Sequence, residues 1–120
     1  MRKVTLVAFL LCLVTTCGAG QQEVVQYAKI RNAGSLSGNV ADAAGVPIPQ
    51  VRVCEMSANS EIELQCTTTD SQGQWSLTAR KDTEVYRLRF AKNNFNHVWL
   101  RVRLTKRKAA PLTITLPVAM

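Results

Sequence analysis

Chemistry in this chain would have to come from a short supply of reactive side chains. These are Cys54 and Cys66, the single histidine His97, the carboxylates Glu55, Glu61 and Glu63, and the arginines Arg87, Arg89, Arg101 and Arg103. A zinc site takes four protein ligands, or three and a water, which two thiols and one imidazole do not supply. A serine or cysteine nucleophile needs a histidine base held by a third group, and His97 follows the asparagine-rich Asn93-Asn94-Phe95-Asn96. No glycine-rich run resembles a phosphate cradle. Glu55, Glu61 and Glu63 flank a turn and read as solvated strand-end charges. The expectation is a protein that is not an enzyme and uses no metal or cofactor.

The arginines belong to a lopsided charge distribution. The chain of 120 residues carries a formal net charge of +7. Residues 80–108 hold ten of its basic residues against Asp82 and Glu84. Such asymmetry bears on partners and solubility rather than on fold.

Compartment follows from the N-terminus and the cysteines. Met1-Arg2-Lys3 is basic, Val4 to Val14 is an apolar run short for a membrane span, and Thr15-Thr16-Cys17-Gly18-Ala19-Gly20 is small. That order is a secretory signal peptide, residues 1–20, with cleavage after Ala19 or Gly20. Cys17 offers a second route, lipidation as a bacterial lipoprotein, although Thr16 stands where Gly, Ala or Ser is usual. The product is a periplasmic or extracellular protein, or an outer-membrane lipoprotein with a lipid anchor. No other apolar run approaches spanning length, so no transmembrane span is expected in the mature chain. In an exported protein, Cys54 and Cys66 read as a disulfide.

The elements that must position these residues are strands. After a polar lead, residues 21–33, an apolar period of two recurs almost throughout. One face is formed in turn by Leu36, Gly38 and Val40; Val51 and Val53; Ile62, Leu64 and Cys66; and Trp75 and Leu77. Beyond them come Tyr86, Leu88 and Phe90; Val98, Leu100, Val102 and Leu104; and Leu112, Ile114, Leu116 and Val118. Seven short strands separated by turn signals mean an all-β sandwich or barrel over residues 34–119.

Within it, Gly38-x-Val40-x-Asp42-x-x-Gly45-x-Pro47-Ile48-Pro49-x-Val51-x-Val53 resembles the start of the carboxypeptidase regulatory-like domain. A second signature, Thr67-x-Thr69-Asp70-x-x-Gly73-x-Trp75-x-Leu77, stands where that family has an aromatic before a final apolar residue. Tyr86-x-Leu88-x-Phe90 and Leu112-x-Ile114-x-Leu116 match its later strands, so the resemblance covers about residues 34–118. It implies a seven-stranded antiparallel β-sandwich of the transthyretin (prealbumin)-like type, also classed with carbohydrate-binding-like folds. In zinc carboxypeptidases this sandwich accompanies a separate catalytic domain that carries the zinc ligands. Gln50 and Asn94 depart from the pattern, each replacing a glycine common in the family. Gly45 and Gly73 are expected to permit tight turns, Pro47 and Pro49 to stiffen a strand entry, Asp70 to bind N–H groups of its own turn, and Trp75 to fill core.

Folding residues 54–66 as a hairpin about Ser60 sets Cys54 directly opposite Cys66, within disulfide reach. Alternation disagrees: Val51 and Val53 inward put Cys54 outward, whereas Ile62 and Leu64 inward put Cys66 inward. A bulge, or an outward apolar patch on the third strand, must reconcile them. The same alternation turns Arg87, Arg89, Trp99, Arg101 and Arg103 to one outer face, and the resemblance makes their strands neighbours. Two functions follow: a structural or adaptor protein of the bacterial envelope, or a module binding a glycan or other polyanion through this face. Nucleic acid is not expected as a partner, because export removes it.

Intact-mass analysis of the exported protein checks the compartment. Loss of residues 1–19 or 1–20 is the expected result; a chain still beginning at Met1 contradicts export, and a diacylglyceryl mass on Cys17 selects the lipoprotein route.

Overall fold

The computed structural model describes residues 24–106 and 111–119, with side chains from Lys29 onward. The signal segment, Cys17, Arg107 and Lys108 lie outside them. Among the described residues eight strands form two sheets: β1 Val24–Ala33, β2 Ser37–Ala41, β3 Arg52–Met56, β4 Glu63–Thr68, β5 Gln74–Ser76, β6 Val85–Ala91, β7 His97–Leu104 and β8 Leu112–Thr115. One sheet runs β1-β7-β6-β3-β4 and the other β5-β2-β8.

Two features differ from the sequence reading. The eighth strand is β1, which lies in the polar lead, where side-chain alternation gives little signal. It adds to the edge of β7 by backbone pairing, and its register shifts between Gln26 and Ile30. The sheets are also mixed rather than antiparallel, because β1 pairs with β7 and β2 with β8 in parallel. Both parallel pairs join strands distant in sequence, which a tight hairpin cannot connect.

The core lies between the layers. From the five-stranded sheet come Val53, Tyr86, Leu88, Phe90, Val98, Leu100 and Val102; from the other come Val40, Trp75, Leu112 and Ile114, all buried. Trp75 meets Phe90 edge to face, with ring centroids 5.4 Å apart, so it fills core as its position in the motif implied. Edge-to-face contact sets the positive ring edge against the negative face.

The two Asp-x-x-Gly segments fold identically. Asp42 Oδ1 accepts the N–H groups of Ala44 and Val46, and Asp70 Oδ1 accepts those of Gln72 and Gln74. In each, the glycine N–H also bonds the aspartate carbonyl, at 2.9 Å. Both glycines need positive φ, 86° at Gly45 and 75° at Gly73. Gly73 has a further constraint, since a Cβ there would lie 2.5 Å from the Val40 carbonyl oxygen, whereas nothing lies within 4 Å at Gly45. Thr69 closes the arrangement. Its hydroxyl donates to the Ile48 carbonyl and accepts from the Val51 N–H, so the Pro47–Gln50 segment is clasped from a neighbouring strand.

Gln50 and Asn94, the two departures from the family pattern, both sit at positive φ, 59° and 75°. Their positions keep the left-handed backbone without the glycine. Asparagine tolerates that region and glutamine less so.

Three substitutions separate these effects in urea unfolding. Gly45→Ala should cost about 1 kcal/mol from left-handed strain alone. Gly73→Ala should cost more than about 2 kcal/mol, because the same strain is joined by a backbone clash. Gln50→Gly should be neutral to stabilising by about 0.5 kcal/mol, relief of strain being offset by glycine's greater unfolded-state freedom.

Candidate functional site

The outer face of the five-stranded sheet gathers most of the residues singled out for chemistry. β6 and β7 pair antiparallel with Arg87 opposite Arg101, Arg89 opposite Trp99 and Arg103 opposite Val85. Tyr86, Leu88 and Phe90 on β6 and Val98, Leu100 and Val102 on β7 are buried inward. Their alternates Arg87, Arg89, Trp99, Arg101 and Arg103 therefore turn outward together. Trp99 is half-buried, and the Arg89 guanidinium lies 5.9 Å from its ring centroid.

The neighbouring strands carry the disulfide. Cys54 and Cys66 are directly opposed in the β3–β4 ladder and bonded, with Cα atoms 4.1 Å apart. The β3–β4 ladder shifts register between Glu55 and Met56, and Ile62 and Leu64 are 59% and 44% exposed, so an irregularity in the ladder and an exposed apolar pair together reconcile the conflict of alternation. Closing this short loop stabilises the fold by about 3 kcal/mol in the chain-entropy account. A Glu63 carboxylate oxygen and both sulfurs lie within 4.8 Å of one another, and the sulfurs, bonded together, have no thiolate to offer a metal.

Glu63 organises this part of the face. It accepts from Arg52 at 2.7 Å through one oxygen and from Arg89 through the other. The Arg52 hydrogen bond, foremost, with the charges of Arg52 and Arg89 holds its carboxyl below the ordinary 4.5, outweighing partial desolvation. Arg89 is thus fixed twice, by a carboxylate on one side and an indole on the other. Arg87 donates to the Ser60 hydroxyl at 3.2 Å. His97 is held below its ordinary 6.5, first by burial and then by the Arg89 charge.

On the inner face one carboxylate corrects the sequence reading. Glu55 is 2% exposed rather than a solvated strand-end charge. It pairs with Arg80 and accepts from Gln65, whose amide also bonds the Thr78 carbonyl and N–H. Tyr86 adds a hydroxyl that accepts the Arg80 N–H and donates to its carbonyl. A buried charge is tolerated only when paired and hydrogen-bonded, and this network meets that condition while fixing the loop before β6. Sequence reasoning missed it because strand β3 departs from strict alternation, with Val53, Cys54, Glu55 and Met56 all buried.

The motif residues serve the fold. Asp42, Thr69 and Asp70 spend their side-chain oxygens on backbone groups, and Gly38 lets β2 approach β8, where a Cβ would lie 2.0 Å from the Leu112 carbonyl oxygen. Val40, Gly45, Gly73 and Trp75 complete the turns and core, and Ala41 bridges to Pro47 ahead of Pro49. A family model, the carboxypeptidase regulatory-like domain, matches residues 35–117. No curated protein matches the chain.

Acid should act on two groups in the same direction. The folded chain binds protons less readily than the unfolded chain at both His97 and Glu63, so their stabilisation is whole at neutral pH and falls with pH. The His97 contribution declines below 6.5 and the Glu63 contribution below 4.5. In urea unfolding across pH, Glu63→Gln should make the acid limb shallower while leaving the decline that begins near 6.5. An unchanged acid limb would show that Glu63 gains nothing from its two arginines.

Proposed function

The chain belongs to the carboxypeptidase regulatory-like domain family, and we propose that it works as a non-catalytic β-sandwich module, exported and serving the bacterial cell envelope as a structural or adaptor protein. One observation carries this reading: the cysteines, Glu55, Glu63 and the turn aspartates are spent on internal contacts. The two cysteines are joined to each other, Glu63 holds two arginines, Glu55 is locked to Arg80 and Gln65, and both turn aspartates bind their own loops. Acyl transfer requires a nucleophile with an oriented base, and the paired cysteines offer no thiolate for that role.

Export is supported by the disulfide, since such bonds persist in oxidising compartments. No helix among the described residues is long and apolar enough to cross a membrane. The glycan alternative is weakened at Trp99, because Arg89 covers one face of the ring on which a sugar would stack. An adaptor acts through what it binds, so the test is assembly. In size-exclusion of native envelope extracts, the exported chain should co-elute with a larger protein at fixed stoichiometry. Elution at its own monomer mass throughout, or turnover of peptide, ester or glycoside substrates by the purified protein, would overturn the reading.

A further inference from the structure

Among the described residues four strands keep one edge unpaired: β1, β4, β5 and β8. An open edge invites another strand, and native sheets blunt it with lysine, proline, irregular pairing or shortness. β1 carries Lys29 and Arg31, and its register shifts between Gln26 and Ile30. β5 is three residues long, and Asp70 takes both backbone groups of Gln74, the N–H on its carboxylate and the carbonyl with its own N–H. β8 has four residues and lies between Pro111 and Pro117. β4 differs from all three. From Leu64 to Thr68 it holds neither charge nor proline, and its ladder with β3 is regular from Gln65 to Thr68. A cleft of about 380 Å³, lined in part by Thr67, Thr68, Gln74 and Ser76, opens beside it.

Ladder geometry tells which backbone groups face that edge. Cys54 and Cys66 lie with Cα atoms 4.1 Å apart, the close spacing of an antiparallel pair that exchanges no ladder bonds. Just past the strand, the Thr69 N–H bonds the Val51 carbonyl and the Gln50 N–H bonds the Thr69 carbonyl. Thr69, Thr67 and Gln65 therefore face β3, while Cys66 and Thr68 turn their N–H and carbonyl groups to the open edge. We infer that this edge pairs with the same edge of a second copy of the chain, antiparallel, about a two-fold axis at Thr67. In that register Cys66 of each copy faces Thr68 of the other, and every outward N–H and carbonyl of both residues gains a partner. Thr67 meets its own copy, a favourable cross-strand pair. Glu63, the strand's only charge, lies outside the paired residues and is held by Arg52 and Arg89. A second copy has an advantage over a loose segment of another protein. Its β4 is already extended and pinned to β3 by the disulfide, so little conformational freedom is lost on docking. The two-fold axis also closes the assembly, since both β4 edges are used. One short edge is a small contact, so association should depend on protein concentration. Such a dimer goes beyond the adaptor reading and does not require it.

The purified exported protein is followed by sedimentation equilibrium and by amide hydrogen exchange over a concentration series. Its mass should rise toward that of a dimer, and the Cys66 and Thr68 amides, fast in dilute solution, should slow in step. Thr68→Pro removes a donor that faces the open edge and none that faces β3, so the fold should stand. Association should weaken by about tenfold or more, because each dimer loses that bond twice. Thr68→Lys should weaken it too, by placing a charge on the edge. Circular dichroism establishes the folding of each variant, and Thr68→Lys carries the test should the proline variant not fold. Salt should leave association intact, because backbone pairing is not ionic. Monomer mass at every concentration would overturn the dimer, as would association that both Thr68 variants leave unchanged. Slowed exchange at Thr113 and Thr115 instead would move the contact to β8, and loss of association in salt would assign it to the arginine-bearing face. Either result overturns the β4 pairing. Slowing of the Cys66 and Thr68 amides in a monomer only after envelope extract is added would give the edge to another protein and overturn the second copy.

Discussion

Backbone hydrogen bonding at a single crossing governs how the sandwich closes. Val40 gives its N–H to the Gly73 carbonyl and takes the Ile48 N–H on its own carbonyl, at 2.8 and 3.0 Å. Val40 is fully buried, so both groups would lose hydration without a protein partner. Two turns must therefore arrive side by side at one residue, and a Cβ on Gly73 would lie 3.3 Å from the Ile48 nitrogen. The paired Asp-x-x-Gly loops deliver them, and Thr69 holds the proline segment that carries Ile48. The absence of a side chain at position 73 follows directly, because the Val40 carbonyl occupies its place.

The chain after β8 is tied in at the same end of the sandwich, where the Leu116 N–H bonds the Ala41 carbonyl and Lys92 bonds that of Pro49. Asn96 donates to the Pro117 carbonyl and Ala119 to that of Asn94, so the turn between β6 and β7 is tied to the C-terminal stretch. Near the other end of β6, the loop from Thr78 to Arg80 is held by polar groups instead, through Glu55, Gln65 and Tyr86. A carboxylate beneath a loop makes its position specific, since any displacement of Arg80 leaves a charge buried alone.

One further carboxylate sets the character of the outer face. Glu63 lies beside the disulfide and binds two arginines, so Arg52 and Arg89 are held together by one carboxylate. β-Sheet geometry makes that placement durable. The rows of side chains are fixed by register, and a one-residue slip would exchange the arginines with Tyr86, Leu88 and Phe90 in the core.

Local pattern by itself determined the strands with one buried face. On β6 and β7 every second residue is apolar, and the fold buries those residues while turning the arginines out, because burial of a charge without a partner is too costly for either strand to reverse. The hairpin about Ser60 set Cys54 opposite Cys66 by counting alone, and the motif spacing placed the two tight turns at Gly45 and Gly73. What only the tertiary structure decided lay where alternation carries no information. β1 adds to an edge through backbone groups that every residue possesses. Ile62 and Leu64 are exposed where the β3–β4 ladder shifts register, so alternation counted from the disulfide does not reach them. Glu55 is buried, and Glu63 joins Arg52, 11 residues before it, to Arg89, 26 residues after it, because strand pairing brings those side chains within reach. Periodicity records which face a residue takes, whereas charge pairing depends on which strands become neighbours, and that is settled by the sheet order.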